Sequence, residues 1–231
     1  MRVSVGFCAL LFAAVSPMAA EAACVDAVVL VHGNTGSPSD FDATVSQLLR
    51  RGYAASDIRR PRWGSSVCAA CNDHSGSEAL PVEQALIDAA AASCTGRVDV
   101  IGHSMGVTLL AREITRLGMS GYIDSFIGIA GAYRGLRSCG LYPFNVATPT
   151  CGEWGLSLGS PLLQGLRDRP LARRVHSIKS WYDEIVCATG ICTVGGIHSS
   201  AIDGEWSSTT LPLGHFGLAR HTSVLQADLL Q

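Results

Sequence analysis

VDVIGHSMGVTLLAREITRLG, residues 98–118, is the stretch on which the fold turns. Val98 to Ile101 has the length and apolar content of a short buried strand. From about Met105 to Leu117 the apolar residues follow helical spacing, and Gly118 supplies the stop. Between the two lies Gly102-His103-Ser104-Met105-Gly106, which fits G-x-S-x-G. A strand that enters a helix over so few residues must turn tightly and push the serine hydroxyl outward. Side chains flanking the serine would clash, so the turn needs glycine there. The helix N-terminus behind Ser104 also favours developing negative charge. The strand and helix on either side separate this motif from a chance pentapeptide.

Working outward, the same alternation repeats. Val28-Val29-Leu30-Val31 is a continuous β-branched run suited to a strand covered on both faces, and it ends at His32-Gly33-Asn34. Ser37-Pro38-Ser39-Asp40 reads as a helix start, with Phe41, Val45, Leu48 and Leu49 at helical spacing and Gly52 as stop. Ile58 to Trp63 is a weak strand candidate, residues 64–78 read as loop, and Pro81 to Ser93 as an alanine-rich helix. Downstream come a strand from Ile123 to Ala130, an irregular stretch from Gly131 to about Arg169, and a strand from Val175 to Tyr182. Residues 187–214 are mostly loop, and Gly217 to Leu230 is a terminal helix. Strands alternating with helices imply an α/β fold with a parallel, doubly wound sheet. There is no internal repeat and no linker that would split the chain.

Composition agrees with one compact domain. The chain has 231 residues, 48% of them hydrophobic and 16% charged, which argues against disorder. A net charge of −2 without a basic block gives no electrostatic reason to expect nucleic acid or an anionic membrane as partner. Arg2, the apolar run Val5 to Val15 and the small residues of Ala20-Glu21-Ala22 read as a signal peptide over residues 1–22, leaving 23–231 as the domain. Glu21 stands where a lipobox would carry an apolar residue, which disfavours a lipid anchor on Cys24. Of nine cysteines, Cys8 leaves with the signal, and the even remainder fits disulfides in an exported chain. Cys187 with Cys192 and Cys139 with Cys151 are local pairs. Cys68-Ala-Ala-Cys71 reads as structural, because neither a redox βαβ context nor a second zinc-spaced pair accompanies it.

Acyl transfer at a serine needs a base, an orienting acid and donors for the oxyanion. One donor is the backbone N–H after the nucleophile, Met105. The loop after the early strand offers the second, Asn34, with His32 as structural support. In chain order an acid and then a histidine follow. Asp183 stands at a strand end, with Glu184, Asp203 and Glu205 as alternatives. His215, framed by Gly214 and Gly217, is the base candidate ahead of His198, in a Gly/Ser loop, and His221, at the terminal helix.

Val28 to Gly33, Val98 to Gly106, Ile127 to Ala132, Tyr182 to Val186 and Gly214 to Leu218 together resemble the small secreted bacterial lipases of class 2, in the α/β-hydrolase superfamily. The resemblance implies a minimal, mostly parallel sheet of about six strands with helices on both faces. It implies hydrolysis of triacylglycerol or shorter esters by Ser104, Asp183 and His215, oxyanion donors Asn34 and Met105, and no metal or cofactor. The signal segment and the cysteines lead to the expectation of an extracellular or periplasmic protein; a monomer is expected, with ester substrates and, transiently, a lipid interface as partners. Departures are the eight cysteines, the longer loop between Asp183 and His215, and Asn34 in place of an apolar residue. Two other readings are a polyhydroxyalkanoate depolymerase of the same fold and a non-catalytic binder of lipid or protein. The proline and cysteine content of 131–169 predicts a fixed loop more than a mobile lid.

Overall fold

The computed structural model describes Met1 and residues 24–231, so the expected signal peptide lies outside the described residues. The first half runs β1 (Ala27–Val31), α1 (Asp42–Arg50), β2 (Ile58–Arg59), α2 (Gly76–Ala92), β3 (Val98–His103), α3 (Met105–Leu117) and β4 (Ile123–Ile129). The second half adds α4 (Pro161–Leu166), β5 (Arg174–Lys179), β6 (Thr193–Val194), β7 (Ile197–His198), β8 (Ser207–Thr210), α5 (His215–His221) and α6 (Ser223–Asp228). Six strands form one sheet in the order β2-β1-β3-β4-β5-β8, and every pairing is parallel. β6 and β7 make a separate antiparallel hairpin.

The apolar runs are continuous because both faces of the sheet are covered. Val29, Val31, Val98, Val100 and Phe126 face α2 and α3 and join Val82, Leu86, Leu109 and Ile114 in one core. Val28, Leu30, Ile101, Ile127 and Ile178 point the other way, into Phe41, Leu48, Leu218 and Leu230 from the α1, α5 and α6 side. Each large side chain sealed in this way contributes about 1.5–3 kcal/mol over its exposed state. The α/β architecture, the parallel sheet of about six strands and helices on both faces all agree with the reading of the sequence. Among the described residues no helix is long and apolar enough to cross a membrane.

Element ends differ for identifiable reasons. The expected strand 58–63 pairs only over Ile58–Arg59, as Pro61 has no N–H for a ladder. Helix α2 starts at Gly76, upstream of Pro81; a proline this near the N-terminus costs one ladder bond, and Ala79 and Val82 on either side of it are buried. The strand expected to reach Tyr182 leaves the sheet after Lys179, and the Ser180 Oγ accepts the Tyr182 N–H at 2.9 Å. The terminal helix breaks at Thr222 into α5 and α6. There the buried Gln226 donates to Thr222 Oγ1 and Ala219 O and accepts from Thr44 Oγ1. The sixth strand, β8, is polar Ser-Ser-Thr-Thr at the sheet edge, with its residues alternating toward solvent.

Among the described residues four disulfides form: Cys24–Cys94, Cys68–Cys71, Cys139–Cys151 and Cys187–Cys192. The two local pairs read from spacing are among them. The 131–169 stretch contains α4 and several short turns, and the buried Tyr133 hydroxyl donates to Leu166 O at 2.8 Å.

Candidate active site

The cleft opens where the parallel strands end. Ser104 occupies the turn between β3 and α3 with φ 54° and ψ −127°, a left-sided conformation that a non-glycine residue adopts only under constraint. The constraint is steric. A Cβ on Gly102 would lie 2.8 Å from the Val107 backbone, and one on Gly106 would lie 2.4 Å from Val31 O and 2.5 Å from His32 O. A Cβ on Gly33, in the facing loop, would stand 2.9 Å from that of Ser104. The Ser104 N–H donates to Ile129 O at 2.8 Å and closes the turn onto β4.

Asp183 and His215 come together across the cleft's other wall. The His215 Nδ1 lies 2.9 Å from both Asp183 oxygens, and both side chains are buried. Asp183 Oδ1 also accepts the N–H groups of Ile185 at 2.9 Å and Val186 at 2.8 Å. Burial pushes the Asp183 carboxyl up, but the hydrogen bond and charge of His215 and these two N–H groups outweigh it and hold the acid below its usual range. Ser104 and His215 line one cleft of about 210 Å³, together with Gly33, Asn34, Ile185 and Phe216. The Ser104 hydroxyl makes no hydrogen bond to His215 in this structure; such bonds are often long until substrate binds.

The candidate oxyanion donors are free. Neither the Asn34 nor the Met105 backbone N–H is hydrogen-bonded among the described residues. The Asn34 side chain is engaged elsewhere, donating to Ala69 O at 2.9 Å and accepting from Asn72 Nδ2 at 2.6 Å. It thus ties the loop after β1 to the segment closed by Cys68–Cys71. His32 is buried, with its Nδ1 2.8 Å from Gly33 O and its ring stacked 5.4 Å from that of Trp63. It supports the loop, as expected.

The remaining candidates take other places. His198 donates from Nε2 to Ser180 O at 3.0 Å and accepts the Ser200 N–H on Nδ1 at 3.1 Å. Burial first, opposed by that carbonyl, lowers its pKa, so it is a neutral prop under the Asp183 loop. His221 is exposed at the end of α5. Asp203 pairs with Arg134 and Arg167, and Glu205 accepts the Ile202 N–H at 3.0 Å. Glu184 meets the His215 main chain instead of its ring, accepting the N–H at 2.8 Å.

His103, inside the motif, carried no separate expectation. Its Nε2 lies 3.2 Å from His215 O and its ring 4.8 Å from that of His215. Burial, with the His215 charge second, lowers its pKa to about 3; it is therefore a neutral donor to the carbonyl. Its place beside Ser104 in the G-x-S-x-G motif is the one sequence signal that could have found it. Two groupings of ligand-type side chains occur among the described residues. Cys187 and Cys192 of the first are joined as a disulfide. The second, Asp26 with Asp99 and Asp124, sits at the far end of the sheet, and Asp124 is paired with Arg173 and Arg174.

Comparison with known proteins gives the same frame. The lipase (class 2) family profile matches residues 26–226. No curated protein matches the chain. Among solved structures, the chain is similar to one from a study of two metagenome-derived lipolytic enzymes, LipS and LipT. That likeness has 17% identity and a TM-score of 0.58, covering 87% of this chain and 89% of the other. The mature lipase BlEst2 of Bacillus licheniformis has 13% identity and a TM-score of 0.62, covering 90% and 93%. Phospholipase PlaB of Legionella pneumophila has 15% identity and a TM-score of 0.65, covering 90% of this chain and 60% of the other. At these identities the structures speak for the α/β-hydrolase fold. The family match speaks for the chemistry: the chain belongs to the class 2 lipases and is a carboxylic ester hydrolase.

Proposed function

We propose that the chain is a secreted serine lipase that cleaves lipid esters through an acyl-enzyme, with Ser104 as nucleophile, His215 as base and Asp183 as orienting acid. The observation that carries this reading is the His215 Nδ1 held 2.9 Å from both Asp183 oxygens in the cleft that Ser104 lines. Asp183 fixes the tautomer with its proton on Nδ1, so Nε2 is the face that takes the Ser104 proton. Ser104 Oγ attacks the ester carbonyl, and the oxyanion forms against the N–H groups of Asn34 and Met105. The imidazolium returns its proton to the leaving alcohol. Water, activated by the same ring, then releases the acid.

Ile185 and Phe216 give the cleft an apolar wall, and the exposed Trp181 and Tyr182 stand beside the Asp183 loop. These residues favour an acyl chain over a polar substituent and would face a lipid interface. Export through a signal peptide over residues 1–22 fits the four disulfides, which persist in an oxidising compartment.

The test is hydrolysis of p-nitrophenyl esters from acetate to palmitate by the purified protein, with Ser104→Ala alongside. The expected result is turnover that extends to long chains and falls ~10⁶-fold in the variant. Full turnover by Ser104→Ala would end the proposal; activity confined to short chains would replace lipase by esterase.

A further inference from the structure

We propose that Glu184 is a positioning residue that holds the His215 main chain, and that Gly214 is a glycine because the Glu184 carboxylate fills the space of its Cβ. The inference rests on the proposed role of His215 as base.

His215 is the first residue of α5, so its N–H is one of the orphan donors of a helix start. A side chain at the cap position, Gly214, would reach the second or third N–H of the helix and not this one. Glu184 Oε2 accepts it, from the neighbouring loop, at 2.8 Å, and a carboxylate makes the stronger, charge-assisted kind of hydrogen bond. On the other side of the residue, His103 Nε2 lies 3.2 Å from His215 O. The main chain of His215 is gripped at both its N–H and its carbonyl, while Asp183 grips the ring. Asp183 and Glu184 are adjacent, so a single turn fixes the base at two points.

Gly214 supplies the independent observation. Its backbone lies at φ −71° and ψ 171°, ordinary extended geometry that any residue adopts, so conformation does not require glycine. Space does. A Cβ there would stand 2.6 Å from Glu184 Oε2 and 3.4 Å from Cδ and Oε1, and these are the three nearest atoms. A methyl group at 214 therefore meets the Glu184 carboxylate before anything else and drives it off the His215 N–H.

The experiment measures kcat and KM on one p-nitrophenyl ester for Glu184→Ala, Glu184→Gln, Gly214→Ala and the double variant Gly214→Ala/Glu184→Ala. Active sites are counted by fluorophosphonate labelling, so that misfolded protein does not enter kcat. Glu184→Ala should lower kcat by about 10-fold with KM little changed, less than the ~100-fold that follows a 1 Å misplacement of a reacting group. Glu184→Gln, whose amide oxygen still accepts, should recover most of that loss. Gly214→Ala should reproduce the loss alone and add little once Glu184 is Ala, the non-additivity of two residues acting through one contact. A wild-type kcat in Glu184→Ala overturns the inference, as does a Gly214→Ala penalty of equal size in both backgrounds. If Glu184→Ala does not fold, the Gln variant and Gly214→Ala decide. Ser104→Ala and His215→Ala run in parallel: their retained activity would overturn the underlying reading, whereas their loss beside an intact Glu184→Ala would overturn this inference alone.

Discussion

On one wall of the cleft Ser104 is held by what cannot fit. Gly33, Gly102 and Gly106 each leave no room for a Cβ against backbone or side-chain atoms, and the turn has no slack in which the serine could relax from φ 54°. On the opposite wall His215 is held by what it bonds: Asp183 at the ring, Glu184 at the N–H and His103 at the carbonyl. Steric exclusion leaves its trace in residue type, since only glycine satisfies it. Hydrogen bonding leaves a weaker one, because several residues at several distances in sequence could supply the same acceptor. The first wall should fail by unfolding and the second by losing rate.

That contrast can be broken in order of size. Asp183→Asn, which keeps an acceptor for the Ile185 and Val186 N–H groups but releases the histidine tautomer, should lower kcat ~10⁴-fold. Its thermal midpoint should stay near wild type; a large fall would mean that the bonded wall is structural as well. Removing Cys24–Cys94, which closes a separation of 70 residues, should cost about 4 kcal/mol in urea unfolding by the chain-entropy argument. Removing Cys187–Cys192, with a separation of 5 residues, should cost about 2 kcal/mol. Only the second bridge adjoins the Asp183 loop, where the Cys187 N–H donates to Asp183 O at 2.9 Å, so only its loss should also depress kcat.

Gly106→Ala should then cost stability toward the upper end of about 1–3 kcal/mol, since its Cβ would meet two backbone carbonyls that cannot swing aside. A variant that kept its urea midpoint but lost rate would place this wall with the bonded one. A pH-dependent effect lies far from both walls. Burial, and after it the Asp26 charge, pushes the Asp99 carboxyl up to about 7. The folded chain thus holds this proton more tightly than the unfolded one. The stability it gives is complete below the usual carboxylate range and is lost as pH rises through about 7. Asp99→Asn, keeping an acceptor for the Ser125 N–H, should therefore raise stability at pH 8 and change little at pH 4. An equal gain at both values would assign the effect to something other than titration.

The same division explains what the sequence made legible. Val28–Val31 and residues 98–118 announce strand, turn and helix because burial on both sheet faces and a crowded turn each demand particular residue types. The order of acid and base singled out Asp183 and His215, and the structure brings them into contact. The grip of Glu184 and His103 on the His215 main chain was not legible, because it depends on how α5 docks beside the Asp183 loop. Nor was β8: an edge strand of serines and threonines carries no apolar period. The Cys24–Cys94 bridge was likewise unpaired until the sheet brought the start of β1 beside the entry to β3.

The strand order also sets a timetable for folding. β1 pairs with β3 through partners as far apart as Ala27 and Val98, and it lies inside the sheet, so its neighbours arrive only after long segments have closed on themselves. Parallel, non-local pairing of this kind makes for slow folding, with apolar strands open to wrong partners in the meantime. The Cys24–Cys94 link joins two ends that must meet for β1 to pair with β3 and shortens that search from a diffusing loop to a tethered one. Refolding from the oxidised chain should thus outpace refolding from the reduced chain, and the bridge's greatest service would be to the yield of folded protein.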